Sequence, residues 1–170
     1  MIFVSVGSLL AFDRLVQAAD GWAAANPNEA IHIQIGEGRY EPRHAPWSRL
    51  MPITEYRRLL QQCSLFVAHV GMGSILQGLE ERKQMLLLPR LAARGEHTTD
   101  HQLETASRFR GMPGLSIVDD EQALQREMTR LLAEPLQVGG GIPDRASPEL
   151  LANVGAFVRS AMGGGTGPKG

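Results

Sequence analysis

The feature that most constrains this chain is an apolar run that breaks on glycines and restarts as a helix, between Leu65 and Glu80. Leu65 to Ala68 is continuously apolar, the pattern of a strand buried on both faces. His69 ends the run. Gly71 and Gly73 follow, and each can adopt backbone conformations that are costly for other residues. Ser74 reads as the N-cap or first residue of a helix over 74–82. The strand therefore leads through a glycine turn into a helix start, where free N–H groups and the positive end of the helix dipole favour phosphate. In an open α/β sheet, ligands sit beyond the carboxyl ends of the strands, which is where this turn falls. A turn whose glycines serve packing alone fits the same residues. A dinucleotide fingerprint would place its third glycine at Leu76 and an acidic residue about 20 positions on, and a P-loop would need Gly-Lys-Ser/Thr. Neither pattern is present.

The rest of the chain repeats the strand–helix alternation. Ile2 to Val6 reads as a strand, closed by Gly7-Ser8, which forms a second glycine turn able to approach a ligand. Leu9 to Ala25 is helix-like, with Leu15, Ala18, Ala19 and Trp22 at helical spacing. Ile31 to Ile35 is the next strand, and Gly36-Glu37-Gly38 its exit. Residues 39–48, with two prolines and no periodicity, read as a surface loop, and Leu50-Met51 as a short strand. Thr54 is placed as the cap of a helix whose inner side carries Tyr56, Leu59, Leu60 and Cys63. Gln84 to Leu88 is another buried strand, followed by a loop over 90–97 and a helix over 100–108. Leu115 to Val118 reads as the last strand. Asp119 to Ala133 reads as an amphipathic helix with Leu124, Met128, Leu131 and Leu132 inside. A final helix is expected over 148–162, and residues 163–170 form a glycine-rich tail. The alternation predicts an α/β fold, a parallel sheet with helices on both faces, in a single domain over 1–162.

Composition narrows the function classes. The chain has 170 residues, 43% hydrophobic and 21% charged, ordinary for one globular domain with a real core. A formal net charge of −1 provides no basic footprint, so no nucleic-acid partner is expected. The single cysteine, Cys63, sits at a helix–strand junction and reads as a buried thiol in a reducing compartment. No leader segment is expected, because the first residues already read as a strand. No apolar run approaches the ~20 residues needed to span a bilayer.

A second polar concentration follows the strand at 84–88. Glu96, His97, Asp100, His101 and Gln102 fall within seven positions. His97 and His101 are four apart and would share a helix face, a spacing that can bind zinc. No Glu follows His97 and no third ligand is evident, so no metal is expected. Gln102 offers donor and acceptor together, which suits sugar hydroxyls. A capped, solvated helix start fits the same residues.

Four motifs now stand in order: Val6-Gly7-Ser8 with Phe12-Asp13-Arg14-Leu15; Gln34-Ile35-Gly36; His69-Val70-Gly71-Met72-Gly73-Ser74; and Asp100-His101-Gln102-Leu103. Together, over roughly residues 2–132, they resemble the C-terminal, donor-binding domain of family 28 glycosyltransferases. The Alg13-like single-domain form is the nearest in shape, including its bacterial relatives in exopolysaccharide synthesis. The resemblance implies a Rossmann-like lobe, one half of a GT-B enzyme, that holds a UDP-sugar. It implies an inverting transfer to a lipid-linked, polyprenyl diphosphate acceptor, with no cofactor and no metal. The acceptor half would be a separate Alg14-like membrane-anchored subunit or, without one, a second copy of this chain. Localisation would be cytoplasmic, peripheral at the inner face of the membrane through that partner. A non-catalytic binding or scaffold subunit paired with an active transferase is the rival reading.

By the same resemblance, Gly71, Gly73 and Ser74 would approach the diphosphate, with Met72 between them. Gln102, with Asp100 and His101 beside it, would contact sugar hydroxyls. Glu96 and His97, just upstream, would join the donor site, and Gly7 and Ser8 would line the cleft between the halves. The base that activates the acceptor would lie on the partner, with His69 and His97 the candidates in this chain. The family usually has Glu eight residues after the position of His69, binding the ribose hydroxyls, where this chain has Gln77. Glu80 lies one turn further along. The family's usual Gly-Lys-Pro after this helix is here Arg82-Lys83-Gln84.

Overall fold

A computed structural model describes residues 1–138, so the helix expected over 148–162 and the tail over 163–170 lie outside the described residues. Among the described residues, six strands and five α-helices alternate, except that β2 is followed directly by β3. The strands are β1 (Ile2–Ser5), β2 (Ile31–Gln34), β3 (Trp47–Ser48), β4 (Leu65–His69), β5 (Met85–Leu88) and β6 (Leu115–Ile117). The helices are α1 (Asp13–Ala25), α2 (Ile53–Gln62), α3 (Met72–Glu80), α4 (His101–Phe109) and α5 (Glu121–Ala133). All pairings are parallel, in the order β3-β2-β1-β4-β5-β6. This is the Rossmann-like sheet that the alternation predicts.

The strands are apolar throughout because both faces are covered. On one face Ile2, Val4, Val67 and Leu86 pack under α1 and α5 through Leu15, Ala19, Trp22, Leu124 and Met128. On the other, Phe3, Phe66, Ala68 and Leu87 pack under α2, α3 and α4 through Leu59, Leu60, Ile75 and Ala106. Phe3 stacks on Phe66 at 5.8 Å between centroids and meets Tyr56 edge-on at 5.1 Å. Cys63 is buried as expected; burial pushes its thiol up to about 11.

Several element bounds depart from the sequence reading. The first helix begins at Asp13, not Leu9. Phe12 turns fully into the core, and the carbonyls of Leu10 and Ala11 accept from the Arg90 guanidinium, so this segment is held as a loop. The short strand expected at Leu50-Met51 is instead Trp47–Ser48, pairing with Ile33 and Gln34. Thr54 does not cap α2; Pro52 precedes the helix and Thr54 lies within its first turn. Ser74 does not cap α3; Gly71 is the capping residue and Ser74 lies inside the first turn.

The loop over 39–48 is tied down rather than merely solvated. Asp20, fully buried in α1, accepts from the N–H groups of Arg43, His44 and Ala45 and from the Tyr40 hydroxyl, at 2.7 to 3.1 Å. Burial pushes this carboxyl up, but the four donors outweigh it and hold it below its ordinary value.

Candidate functional site

The chain leaves β1 toward one face of the sheet and leaves neighbouring β4 toward the other, which opens a crevice at their carboxyl ends. The resulting cleft has a volume of about 510 Å³. Its floor is the segment that follows β1, Val6 to Leu10, and one wall is the turn from His69 into α3. The opposite wall comes from the segment after β5, through Arg90, His97, His101 and Gln102. Leu50, Met51, Ile53 and Tyr56 close the front.

His69 stands at the centre, and two glycines make room for it. A Cβ on Gly7 would lie 2.8 Å from its Nε2, and one on Gly71 would lie 2.1 Å from its Cε1. Gly7 also has φ +83°, a conformation that other residues adopt only with strain. The two ring nitrogens are both engaged. Nδ1 is 3.1 Å from Gln102 Nε2, and Nε2 is 3.1 Å from Ser74 Oγ. Burial, the charge of Arg90 and the nearby His97 lower the ring pKa to about 4. The imidazole is therefore neutral at physiological pH.

Arg90 is the largest buried charge at the cleft, with 2% of its surface exposed. Its guanidinium donates to the carbonyls of Val6 and Leu10, both at 2.7 Å, and to that of Ala11. It also lies 4.7 Å from the centroid of the Phe12 ring. These contacts pin the β1–α1 loop to the end of β5. Burial lowers the guanidinium to about 10, partly offset by the charge of Glu96, and leaves it protonated at neutral pH.

The start of α3 supplies unused donors. Gly71 is extended and offers no side-chain cap. Among the described residues, the amides of Met72, Gly73 and Ser74 have no hydrogen-bond partner, whereas the next, on Ile75, donates to Gly71. A Cβ on Gly73 would meet nothing within 4 Å, so no protein contact requires glycine there. Three free amides at a helix N-terminus, beside open space at the carboxyl end of a switch-point strand, form an anion-binding arrangement.

Residues 1–140 match the glycosyltransferase family 28 C-terminal domain. The chain belongs to this family. Solved structures share its fold. The glycotransferase of kitacinnamycin superposes with a TM-score of 0.61 at 23% identity, covering 79% of this chain and 35% of that one. The glycosyltransferase SnogD from Streptomyces nogalater gives 0.51 at 17%, covering 78% and 34%. The solution structure of ALG13 gives 0.58 at 16%, covering 89% of this chain and 93% of that one. The chain thus spans about a third of the first two proteins and nearly all of ALG13. It corresponds to the C-terminal half of a GT-B fold. No curated protein sequence matches it.

Within this family 28 lobe, the structure gathers most of the residues singled out in the sequence. Gly7, Ser8, His69, Gly71, Met72, Gly73, Ser74, Gln77, His97, His101 and Gln102 all line the cleft. Three do not. Glu80 is exposed on α3 outside the lining. Glu96 binds Arg14 through two bonds of 2.7 and 2.9 Å and accepts from the Leu91 amide, which shapes the loop. Asp100 accepts from the Ala92 amide at 2.8 Å. His97 precedes α4 rather than sharing it with His101, yet the two rings meet edge-on at 4.3 Å. Among the described residues, no group of three His, Cys, Asp or Glu could hold a metal ion.

Sequence reasoning missed Arg90 as a site residue. The signal was a lone arginine just past a buried apolar strand and its closing proline, Met85 to Pro89. It quoted Gln34 in a motif but gave it no role; its amide donates to Gly7 and Arg49 carbonyls and accepts from Ser5, fixing the floor of the cleft.

Proposed function

We propose that this chain is the UDP-sugar-binding subunit of an inverting glycosyltransferase acting on a lipid-linked acceptor in polysaccharide synthesis. A membrane-associated, Alg14-like subunit would cover the cleft and present the acceptor. The observation that carries this reading is the start of α3, where three free amides and the Ser74 hydroxyl face the cleft. The diphosphate lies there, with Gly73 allowing close approach. Gln77 faces the ribose, and His97 and His101 flank the sugar. The acceptor oxygen bonds to the anomeric carbon as the bond to the diphosphate breaks. The helix-start amides stabilise the charge that develops on the departing UDP.

The base that takes the acceptor proton belongs to the partner. His69 has both ring nitrogens occupied and a pKa near 4, which suits orientation better than proton abstraction. His97 has its Nδ1 turned to the Thr99 amide at 3.3 Å. Support for a covering partner comes from the rim, where Leu9, Leu50, Ile53 and Met72 are 85%, 60%, 58% and 46% exposed. No helix among the described residues is long and apolar enough to cross a membrane, so attachment at the inner membrane face would come through that partner.

The test is thermal unfolding against UDP, GDP, dTDP and NAD. A ligand at 100 times its Kd stabilises by about 2.7 kcal/mol and raises the midpoint. A shift with UDP alone is expected. No shift with any nucleotide, for the chain alone and with its co-expressed partner, overturns the reading. Gln77 favours the second reading, a non-catalytic scaffold subunit, because an amide stands where the family usually has a carboxylate. If the site works, Gln77→Glu tightens UDP binding or leaves it unchanged. If it serves assembly alone, neither form binds.

A further inference from the structure

We propose that Gln102 is a positioning residue: it sets the tautomer of His69 and thereby turns the Ser74 hydroxyl proton into the cleft. The argument is one of valence, starting from the backbone. The Arg90 amide lies 3.0 Å from Gln102 Oε1, and an N–H can only donate. That fixes the orientation of the Gln102 amide and directs its NH₂ group at His69 Nδ1, 3.1 Å away. An NH₂ group has no lone pair to offer here, so Nδ1 accepts and carries no proton. The neutral imidazole then holds its proton on Nε2, which donates to Ser74 Oγ at 3.1 Å. Ser74 Oγ is left with its own hydrogen. Ser74 makes no other side-chain hydrogen bond among the described residues, and it lines the cleft beside the free amides of α3.

The chain Arg90 N–H, Gln102, His69, Ser74 is therefore polarised in one direction. It begins at a backbone amide that cannot reverse and ends at a hydroxyl that must donate. The site gains a fourth donor beside three amides, which selects a group that only accepts, such as a diphosphate oxygen. This accounts for the placement of Gln102, which is 3% exposed with both ends of its amide committed inside the protein. Gln102 thus acts on the donor through His69 and Ser74, whatever its second N–H contacts in the cleft. Gly7 and Gly71 belong to the same device, since a Cβ at either would displace the ring from the place where it reaches both partners.

The role in ligand binding rests on the donor-binding reading, but the tautomer does not, and the two are measured separately. Long-range ¹H–¹⁵N correlation spectra of the labelled chain, with His69 assigned by comparison with His69→Gln, report which ring nitrogen bears hydrogen. A pyrrole-type Nε2 and pyridine-type Nδ1 are expected in the free protein; the reverse overturns the proposal without any variant. Gln102→Glu replaces the donor by an acceptor. It should move the His69 proton to Nδ1, raise the ring's titration midpoint and weaken UDP binding by about tenfold or more. An unchanged tautomer and midpoint in a folded Gln102→Glu also overturns it. Ser74→Ala should lose UDP affinity to a similar degree while leaving the His69 tautomer intact, which separates the end of the relay from its middle. If the expected tautomer is found but UDP binds no form of the protein, the positioning by Gln102 stands and the donor-binding reading fails.

Discussion

Asp20 in α1 and His69 at the end of β4 are both polar groups enclosed by the fold, one against the loop over 39–48 and the other beneath the cleft. Asp20 is an acceptor met by four donors, three of them backbone amides, so nothing about it is left open. His69 is met by one donor and one acceptor, and the bond it makes to Ser74 leaves a hydroxyl hydrogen uncommitted. The first knot fastens a loop. The second transmits an orientation to the surface of a cleft. Burial alone does not distinguish a structural polar group from a functional one; what distinguishes them is whether the network closes on itself.

The largest effect that tests this contrast is Asp20→Ala. Four donors lose their acceptor at a fully buried position, and about 3–5 kcal/mol of stability should go with it. Denaturant unfolding measures the loss. UDP affinity, read under conditions where the variant is folded, should be unchanged. A fall in affinity comparable to that of Ser74→Ala would show that the two knots are coupled.

Gly71→Ala comes next and strikes the second knot. Its Cβ would lie 2.1 Å from His69 Cε1, so the ring must shift and its two hydrogen bonds must lengthen. A loss of about 1–3 kcal/mol is expected, as for overpacking in a close-packed interior. The His69 ring resonances should move as well. A variant as stable as the parent, with unmoved resonances, would mean the ring is less tightly held than the contacts indicate.

Acid separates the knots by pH window. The native state resists protonation of His69, whose pKa is lowered from 6.5 to about 4. The unfolded chain takes up that proton first, so its contribution is intact above 6.5 and is lost as pH falls toward 4. The slope from this one group is at most about 1.4 kcal/mol per pH unit. The Asp20 carboxyl is held below its ordinary 3.8, so its contribution is lost only at lower pH. His32 and His97 are shifted in the same direction as His69. The share of His69 is therefore the difference between the parent and His69→Gln, measured by unfolding from pH 7 to 4. Parallel curves would remove His69 from the account.

The sheet, its helices and most of the cleft were legible because they follow from local pattern. Apolar runs at Ile2, Leu65 and Met85 carry the pattern of buried strands, and glycines at positions 7, 71 and 73 mark the turns that line the cleft. What was not legible depends on pairings distant in sequence. Arg90 reaches Val6 across 84 positions and holds Leu9 to Phe12 out of the first helix, which the sequence pattern starts at Leu9. Glu96 reads as a donor-site residue, but Arg14, 82 positions away, claims both its oxygens. The substitution of Arg82 for the family's usual glycine was visible but its consequence was not. Arg82 adopts φ +51°, a left-handed conformation that glycine takes without strain.

The smallest expected effect on stability sharpens the comparison most, because it detaches function from fold. Gly73 stands in the first turn of α3 with open space where a Cβ would go. Gly73→Ala should leave the fold intact and add up to about 1 kcal/mol, since alanine loses less backbone freedom in a helix. The methyl group would occupy the approach to the free amides, so UDP affinity should fall although stability rises. Gly71→Ala, two residues earlier, should do the opposite at the level of the fold. If Gly73→Ala binds UDP as well as the parent, the diphosphate does not rest on these amides. The start of α3 would then be an uncapped helix end and nothing more.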